Sequence, residues 1–110
     1  MSLPQRLKAD LSAAIRDGDT PLVAVIRTLL AAIGNAEAVE LDPSHPRDVQ
    51  GWAEVPRRRL APEEIRGIVR REAEELLAAA VEYEQHGRPD EGARLRRSAA
   101  QVARYLAEPF

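Results

Sequence analysis

Residues 62–86 hold the longest uninterrupted helical pattern in the chain, and this stretch limits the fold more than any other feature. Apolar residues recur along it at the spacing of one helix face: Ile65, Ile68, Val69, Ala73, Leu76, Leu77, Ala80 and Tyr83. Pro62 suits a first helical turn, and Gly87 suits a stop. Such a helix is about 37 Å long at ~1.5 Å rise per residue. Shorter helices must therefore pack along its apolar stripe.

Three further helices are predicted from local capping signals and apolar spacing. Ser2 and Gln5 have the spacing of a capping box, Asp19 or Thr20 caps a second helix, and Asp90 caps the last one. The predicted helices cover about 3–17, 20–38, 62–86 and 90–107. The fold class is therefore all-α: a single four-helix domain made of two antiparallel helical hairpins joined by a long loop.

The predicted loop, residues 41–61, contains three prolines and a glycine that forbid a long helix. Roughly 20 residues is long for a connection in a compact domain, which is typical of a mobile or functional segment. Trp52 lies within it and has two interpretations, an anchor that pins the loop to the bundle or an exposed hot spot for a partner.

The residue types exclude most forms of site chemistry. There is no cysteine, so there is no disulfide, thiol nucleophile or cysteine-ligated zinc. The two histidines, His45 and His86, follow no metal-ligand spacing, and His86 is explained by the dipole of a helix C-terminus. No phosphate loop or nucleophile elbow is present. We therefore expect no catalytic residue, no cofactor and no metal.

Charge and hydropathy limit the partners and the compartment. The net charge of -2 argues against bulk capture of nucleic acid or of an anionic membrane, although local basic patches remain compatible with it. The N-terminus lacks the apolar region of a signal peptide, and no run approaches ~18 apolar residues. The expectation is a cytoplasmic protein without membrane contact.

An ordered set of residues runs through nearly the whole chain outside 40–61. In the N-terminal half it comprises Met1, Ser2, Leu3, Arg6, Leu7, Asp10, Leu11 and Ala14, followed by residues 25–37, which read VIRTLLAAIGNAE. In the C-terminal half it comprises Glu72, Tyr83, Glu84, Gly87, Arg88, Asp90, Tyr105 and Leu106. This set resembles the YqeY-like proteins of the GatB/YqeY family.

The resemblance implies an all-helical N-terminal domain related to the tail of GatB, a subunit of the tRNA-dependent amidotransferase. That enzyme converts misacylated Glu-tRNA or Asp-tRNA to the amide form, and its tail helps to hold tRNA. The chain departs from the family at two points. Residues 74–77 read EELL where relatives carry a Lys-Gln-Arg-Arg run, and the family's small C-terminal helical domain is expected to be absent after Ala107.

Six arginines form a predicted basic surface, the arginine ridge: Arg57, Arg58, Arg59, Arg66, Arg70 and Arg71. Arg66 and Arg70 are one helical turn apart, so they share a face that could contact phosphates. The alternative is a solvated face, partly neutralised by Arg70–Glu74 and Arg71–Glu75 pairs. A second cluster, Arg94, Arg96, Arg97 and Arg104, is expected to pair with the acidic third helix.

Glu72 falls inside the apolar arc of the third helix, so its side chain is predicted to point toward the bundle. Burial of a lone carboxylate is costly, so Glu72 must find a cation, stay near the rim or carry a raised pKa. Arg27 is the predicted partner in an interhelix bridge. The other interpretation of Glu72 is a catalytic acid.

Taken with the resemblance, these features predict a non-catalytic accessory module that contacts tRNA or amidotransferase subunits through the arginine ridge. The alternative is a protein-interaction module that docks on a partner or forms a homodimer. A third interpretation, carbon–nitrogen ligase activity, rests on family association alone.

Overall fold

The computed structural model describes residues 1–38 and 59–108, and these ranges form four helices. The helices are α1 (Leu3–Asp17), α2 (Thr20–Glu37), α3 (Pro62–Gln85) and α4 (Pro89–Ala107). α1 pairs with α2 and α3 pairs with α4, so the predicted all-α fold of two hairpins is confirmed. Each predicted boundary lies within one residue of the observed one.

Local capping chemistry explains the bounds of the first hairpin. The Ser2 hydroxyl accepts a hydrogen bond from the Gln5 amide at 3.3 Å, and the Gln5 side chain accepts one from the Ser2 amide at 2.9 Å. Gly18 ends α1 in the left-handed conformation with φ 70°, which glycine adopts without a steric penalty. Asp19, rather than Thr20, then caps α2, because its carboxylate accepts a hydrogen bond from the Leu22 amide at 3.2 Å.

The start of α4 differs from the prediction. Asp90 was expected to be the cap, but the helix begins one residue earlier at Pro89, and Asp90 lies in the first turn. No side chain caps this helix. Proline has no amide hydrogen to leave unpaired and has a φ suited to the first helical position, so Pro89 begins the helix. Asp90 still favours the positive end of the helix dipole.

The core of the described residues lies between the two hairpins and is aliphatic apart from Tyr105. Its members are Leu3, Leu7, Val25, Ile26, Leu29, Ile33, Val69, Ala73, Val102 and Tyr105. α2 is the central element, because it contacts both α3 and α4 as well as α1. Two members of the predicted α3 stripe, Leu77 and Tyr83, are instead exposed.

Across the helices in the described ranges, none combines the length and the apolar composition that a membrane crossing requires.

α4 approaches α3 closely at Gly92. A Cβ at this buried position would lie 2.6 Å from the Glu84 Cγ and 3.0 Å from the Ala80 carbonyl oxygen. We expect Gly92→Ala to lower the free energy of unfolding by about 1–2 kcal/mol, because the gain in helix propensity does not offset the overpacking. Urea unfolding followed by circular dichroism measures the change.

Gly67→Ala is the matched control, because a Cβ at Gly67 on α3 meets nothing within 4 Å. It should raise stability by about 0.5–1 kcal/mol through helix propensity alone. Equal effects of the two substitutions would contradict the close approach at Gly92.

Candidate functional site

The structure describes four of the six arginines of the arginine ridge, and they differ in exposure. Arg59, Arg70 and Arg71 are exposed. Arg57, Arg58 and Trp52, like His45 and residues 41–58 of the predicted loop, lie outside the described residues, so the predictions for them stay predictions.

Arg66 is turned away from the exposed members of the ridge and toward the end of α4. Its guanidinium donates to the Leu106 carbonyl oxygen and, at 3.3 Å, to the Glu108 carbonyl oxygen. Only 25% of the side chain is exposed, and the Glu63 carboxylate lies 3.9 Å away. The last carbonyls of a helix have no intrahelical partner, so Arg66 serves to satisfy them. The exposed part of the ridge is therefore Arg59, Arg70 and Arg71.

Arg70 and Arg71 make no ion pair within residues 1–38 and 59–108, so the predicted pairs with Glu74 and Glu75 are not formed. Both guanidinium groups face solvent and are available to an anionic partner.

The four arginines of the second cluster, on α4, differ in whether they form an ion pair. Arg96 donates two hydrogen bonds of 2.8 Å to the Glu84 carboxylate on α3, which confirms the expected pairing for this residue. That bidentate contact lowers the pKa of Glu84 and raises the pKa of Arg96. Arg94 pairs at 2.5 Å with Glu91 on its own helix. Within the part of the chain that the structure describes, Arg97 and Arg104 have no ion-pair partner.

A polar cluster that was not predicted from the sequence joins α1 to α4. The Tyr105 hydroxyl donates a 2.6 Å hydrogen bond to the Asp10 carboxylate, which also accepts from the Arg6 Nε at 3.2 Å. Arg6 Nη2 lies 3.7 Å from the Glu108 carboxylate. We call Arg6, Asp10, Tyr105 and Glu108 the Asp10 cluster. The i,i+4 spacing of Arg6 and Asp10 is a signal of this cluster in the sequence, whereas the burial of Tyr105, whose hydroxyl needs a partner, is seen only in the structure.

The electrostatics of the Asp10 cluster fit a structural role. Burial, aided by the hydrogen bond to Asp10, raises the pKa of Tyr105 above its ordinary value. The hydrogen bond to Asp10 likewise raises the pKa of Arg6. Tyr105 therefore stays protonated at neutral pH and acts as a donor, not as a base or nucleophile. A cavity of about 210 Å³ adjoins the cluster, with Leu22, Gln101 and Arg104 in its wall.

Glu72 lies half-buried in the wall of a second and larger space. This groove of about 360 Å³ lies between α2, α3 and α4 and is lined by Thr20, Pro21, Ala24, Val25, Thr28, Glu72, Leu76, Arg94, Leu95 and Ser98. Burial raises the pKa of the Glu72 carboxyl, and repulsion from Glu75 adds to this. Glu72 therefore has the rim position and the raised pKa that its place in the apolar arc required.

The predicted bridge between Arg27 and Glu72 is not formed in the described ranges. Arg27 is exposed on α2 and does not line the groove. An exposed guanidinium that stays in water keeps its hydration and its rotamer freedom, both of which an ion pair at the groove would reduce.

Within residues 1–38 and 59–108, no three histidine or carboxylate side chains are grouped so that they could hold a metal ion. His86 donates from Nδ1 to the Glu82 carbonyl oxygen at 2.7 Å, and the same oxygen accepts from the His86 amide at 3.1 Å, so the side chain reinforces the end of α3.

Comparison with family models, curated proteins and solved structures finds no match for this chain. The resemblance to the GatB/YqeY family therefore stays a prediction.

Proposed function

We propose that this chain is a non-catalytic accessory module that binds tRNA through the exposed part of the arginine ridge. The observation that carries the proposal is the pair of neighbouring arginines on α3, Arg70 and Arg71, which are exposed and make no ion pair in the described part of the chain. Guanidinium groups bind phosphate oxygens in bidentate fashion and stay charged at any physiological pH.

The choice of tRNA over other polyanions follows from the resemblance to the GatB tail. Arg59 adds a third exposed cation, and Arg57 and Arg58 precede it directly in the sequence. Glu63 and Glu64 lie in the first turn of α3, and Glu72, Glu74 and Glu75 follow the arginine pair, so the favourable potential is confined to the immediate surroundings of Arg70 and Arg71. Binding must therefore be local and moderate in strength, with few phosphates contacted.

We expect replacement of both Arg70 and Arg71 by Gln to weaken tRNA binding at least about tenfold. Glutamine keeps good helix propensity and removes the charge. In the unsubstituted protein, two to three contacted phosphates should make a fourfold increase in salt lower the affinity roughly 10- to 50-fold. The double variant should show a shallower salt dependence. A filter-binding titration with unmodified tRNA at two salt concentrations measures both quantities.

The matched control replaces Arg97 and Arg104 by Gln on α4, which removes the same charge from two other exposed arginines. This variant should keep most of the affinity. Equal loss in both variants would mean that only net charge matters, and unchanged binding in the Arg70/Arg71 variant would rule out this surface.

A second candidate function is docking on a protein partner or on another copy of the chain. One observation favours it: Leu77 and Val81, one turn apart on α3, are 42% and 40% exposed. Sedimentation at rising protein concentration distinguishes the two candidates, because self-association through aliphatic side chains persists at high salt whereas tRNA binding does not.

A further inference from the structure

The groove beside Glu72 has the size and the lining of a small-ligand site. Its volume of about 360 Å³ lies within the range of roughly 300–1,000 Å³ that is usual for such sites. Its apolar wall is contributed by three helices and consists of Pro21, Ala24, Val25, Leu76 and Leu95. Neither the arginine ridge nor the Asp10 cluster includes any of these residues.

The charged residues in the wall are Glu72 on α3 and Arg94 on α4, and a further carboxylate near each of them makes the surroundings net negative. Glu72 lies in the wall, and its neighbour Glu75 is close enough to repel it. Among the described residues, the cation in the wall is Arg94, which is paired at 2.5 Å with Glu91. Glu72 itself has no cationic partner within the described ranges.

The polar groups from α2 and α4 are hydroxyls. Thr20 and Thr28 contribute from α2, and Ser98 contributes from α4. The Thr28 hydroxyl donates its proton to the Ala24 carbonyl oxygen at 3.0 Å, so its lone pairs remain available as acceptors. An ammonium group, which has three donors and no acceptor, matches a carboxylate beside hydroxyl acceptors.

We propose that this groove binds a small organic cation, a primary alkylammonium, with its charged group at the Glu72 carboxylate and its chain along the aliphatic wall. The carboxylate regains by this contact the favourable interactions that partial burial removes, and the alkyl chain covers apolar surface of Val25, Leu76 and Leu95. The site is separate from the proposed tRNA surface and does not depend on it.

The titration of Glu72 supplies a second signature of binding. Burial raises the pKa of this carboxyl, and a bound ammonium would lower it again. Binding should therefore release protons at mildly acidic pH, and the affinity should rise with pH until Glu72 is fully ionised. An anion in the same groove would show the opposite trend.

The test uses the full chain and n-hexylammonium chloride as the probe, followed by amide shifts in a two-dimensional NMR titration at pH 7. The expected result is a saturable change at Thr28, Leu95 and Ser98, with a dissociation constant on the order of 1 mM for a ligand of this size. Sodium hexanoate, which has the same chain length and the opposite charge, should not shift these amides. Glu72→Gln should weaken binding at least tenfold.

Glu74→Gln is the matched control, because it makes the same change at an exposed position of α3 outside the groove. It should bind the probe as the parent protein does.

Thr28→Lys is a second test variant, at an exposed helical position. It should also abolish binding, because it places a tethered ammonium at the groove, and it tests the proposal if Glu72→Gln does not fold. Shifts spread over the exposed carboxylates, an equal response to hexanoate, or equal loss in both glutamine variants would overturn the proposal.

Discussion

Leu29→Ala is expected to lower the free energy of unfolding by about 3–4 kcal/mol, the cost of a cavity at a fully enclosed site. Leu29 has no exposed surface and lies on α2, which packs against each of the other three helices. A loss of this size is a large fraction of the total free energy of unfolding, which is ~5–15 kcal/mol for small domains. Urea unfolding monitored by circular dichroism should show one transition at a lower midpoint with an unchanged slope.

Leu77→Ala makes the same chemical change on α3 at a side chain that is 42% exposed. It should cost less than about 1 kcal/mol, because little cavity is created. Similar losses for the two variants would mean that the aliphatic core does not lie where the structure has it.

Tyr105→Phe is expected to lower the free energy of unfolding by about 1–2 kcal/mol at neutral pH. The ring stays packed in the core, where it is 7% exposed, but the 2.6 Å hydrogen bond to the Asp10 carboxylate is lost. Hydrogen bonds to charged groups contribute about 1.5–3 kcal/mol, and the partly exposed setting of Asp10 favours the lower end. Urea unfolding at pH 7 measures this loss.

The same substitution should change the response to alkali. The folded-state pKa of Tyr105 is raised by burial and by the hydrogen bond to Asp10, so the neutral hydroxyl is the form that the fold favours. This contribution to stability is fully present below the ordinary tyrosine pKa of 10.0 and is lost as pH rises above it. The parent protein should therefore lose stability between pH 9 and 11 more steeply than Tyr105→Phe does.

Tyr83→Phe is the matched control, because Tyr83 is exposed at the end of α3, with the Arg88 guanidinium 5.3 Å from its ring centre. It should leave both the stability and its dependence on alkaline pH nearly unchanged. If Tyr83→Phe flattened the alkaline slope as much as Tyr105→Phe, the Asp10 cluster would not be the source of that slope.

Local chemistry was sufficient to predict the helices. Ser2 and Pro62 act through their immediate neighbours in the chain, so their positions predicted the starts of α1 and α3 correctly. The one cap assigned to the wrong residue, Asp90, stands beside Pro89, which is itself a start signal. When two helix-start signals stand side by side, spacing alone does not show which residue begins the helix.

Contacts between the hairpins could not be predicted in the same way. Asp10 and Tyr105 are 95 positions apart, and no periodicity fixes how α1 docks on α4. Glu72 was placed correctly toward the bundle because that depends only on the face of α3, whereas its pairing with Arg27 depended on how α2 presents its side chains. Arg66 likewise contacts α4 because the end of that helix lies beside it.

Both candidate sites between helices exist only because one hairpin packs on the other. The groove needs α2 against α3 and α4, and the Asp10 cluster needs α1 against α4. The exposed arginines Arg70 and Arg71 require α3 alone. A loss of hairpin packing should therefore abolish the groove while sparing the exposed arginine pair.

Native-state hydrogen exchange of the backbone amides tests most directly whether the two hairpins share one core. If they do, the slowest amides should have the same opening free energy, within about 0.5 kcal/mol, in α2 around Ile26 and Leu29, in α3 around Val69 and in α4 around Val102. This value should also equal the free energy of global unfolding. Amides of α2 that open well below the free energy measured for α3 and α4 would show two independent hairpins, and would contradict the shared core.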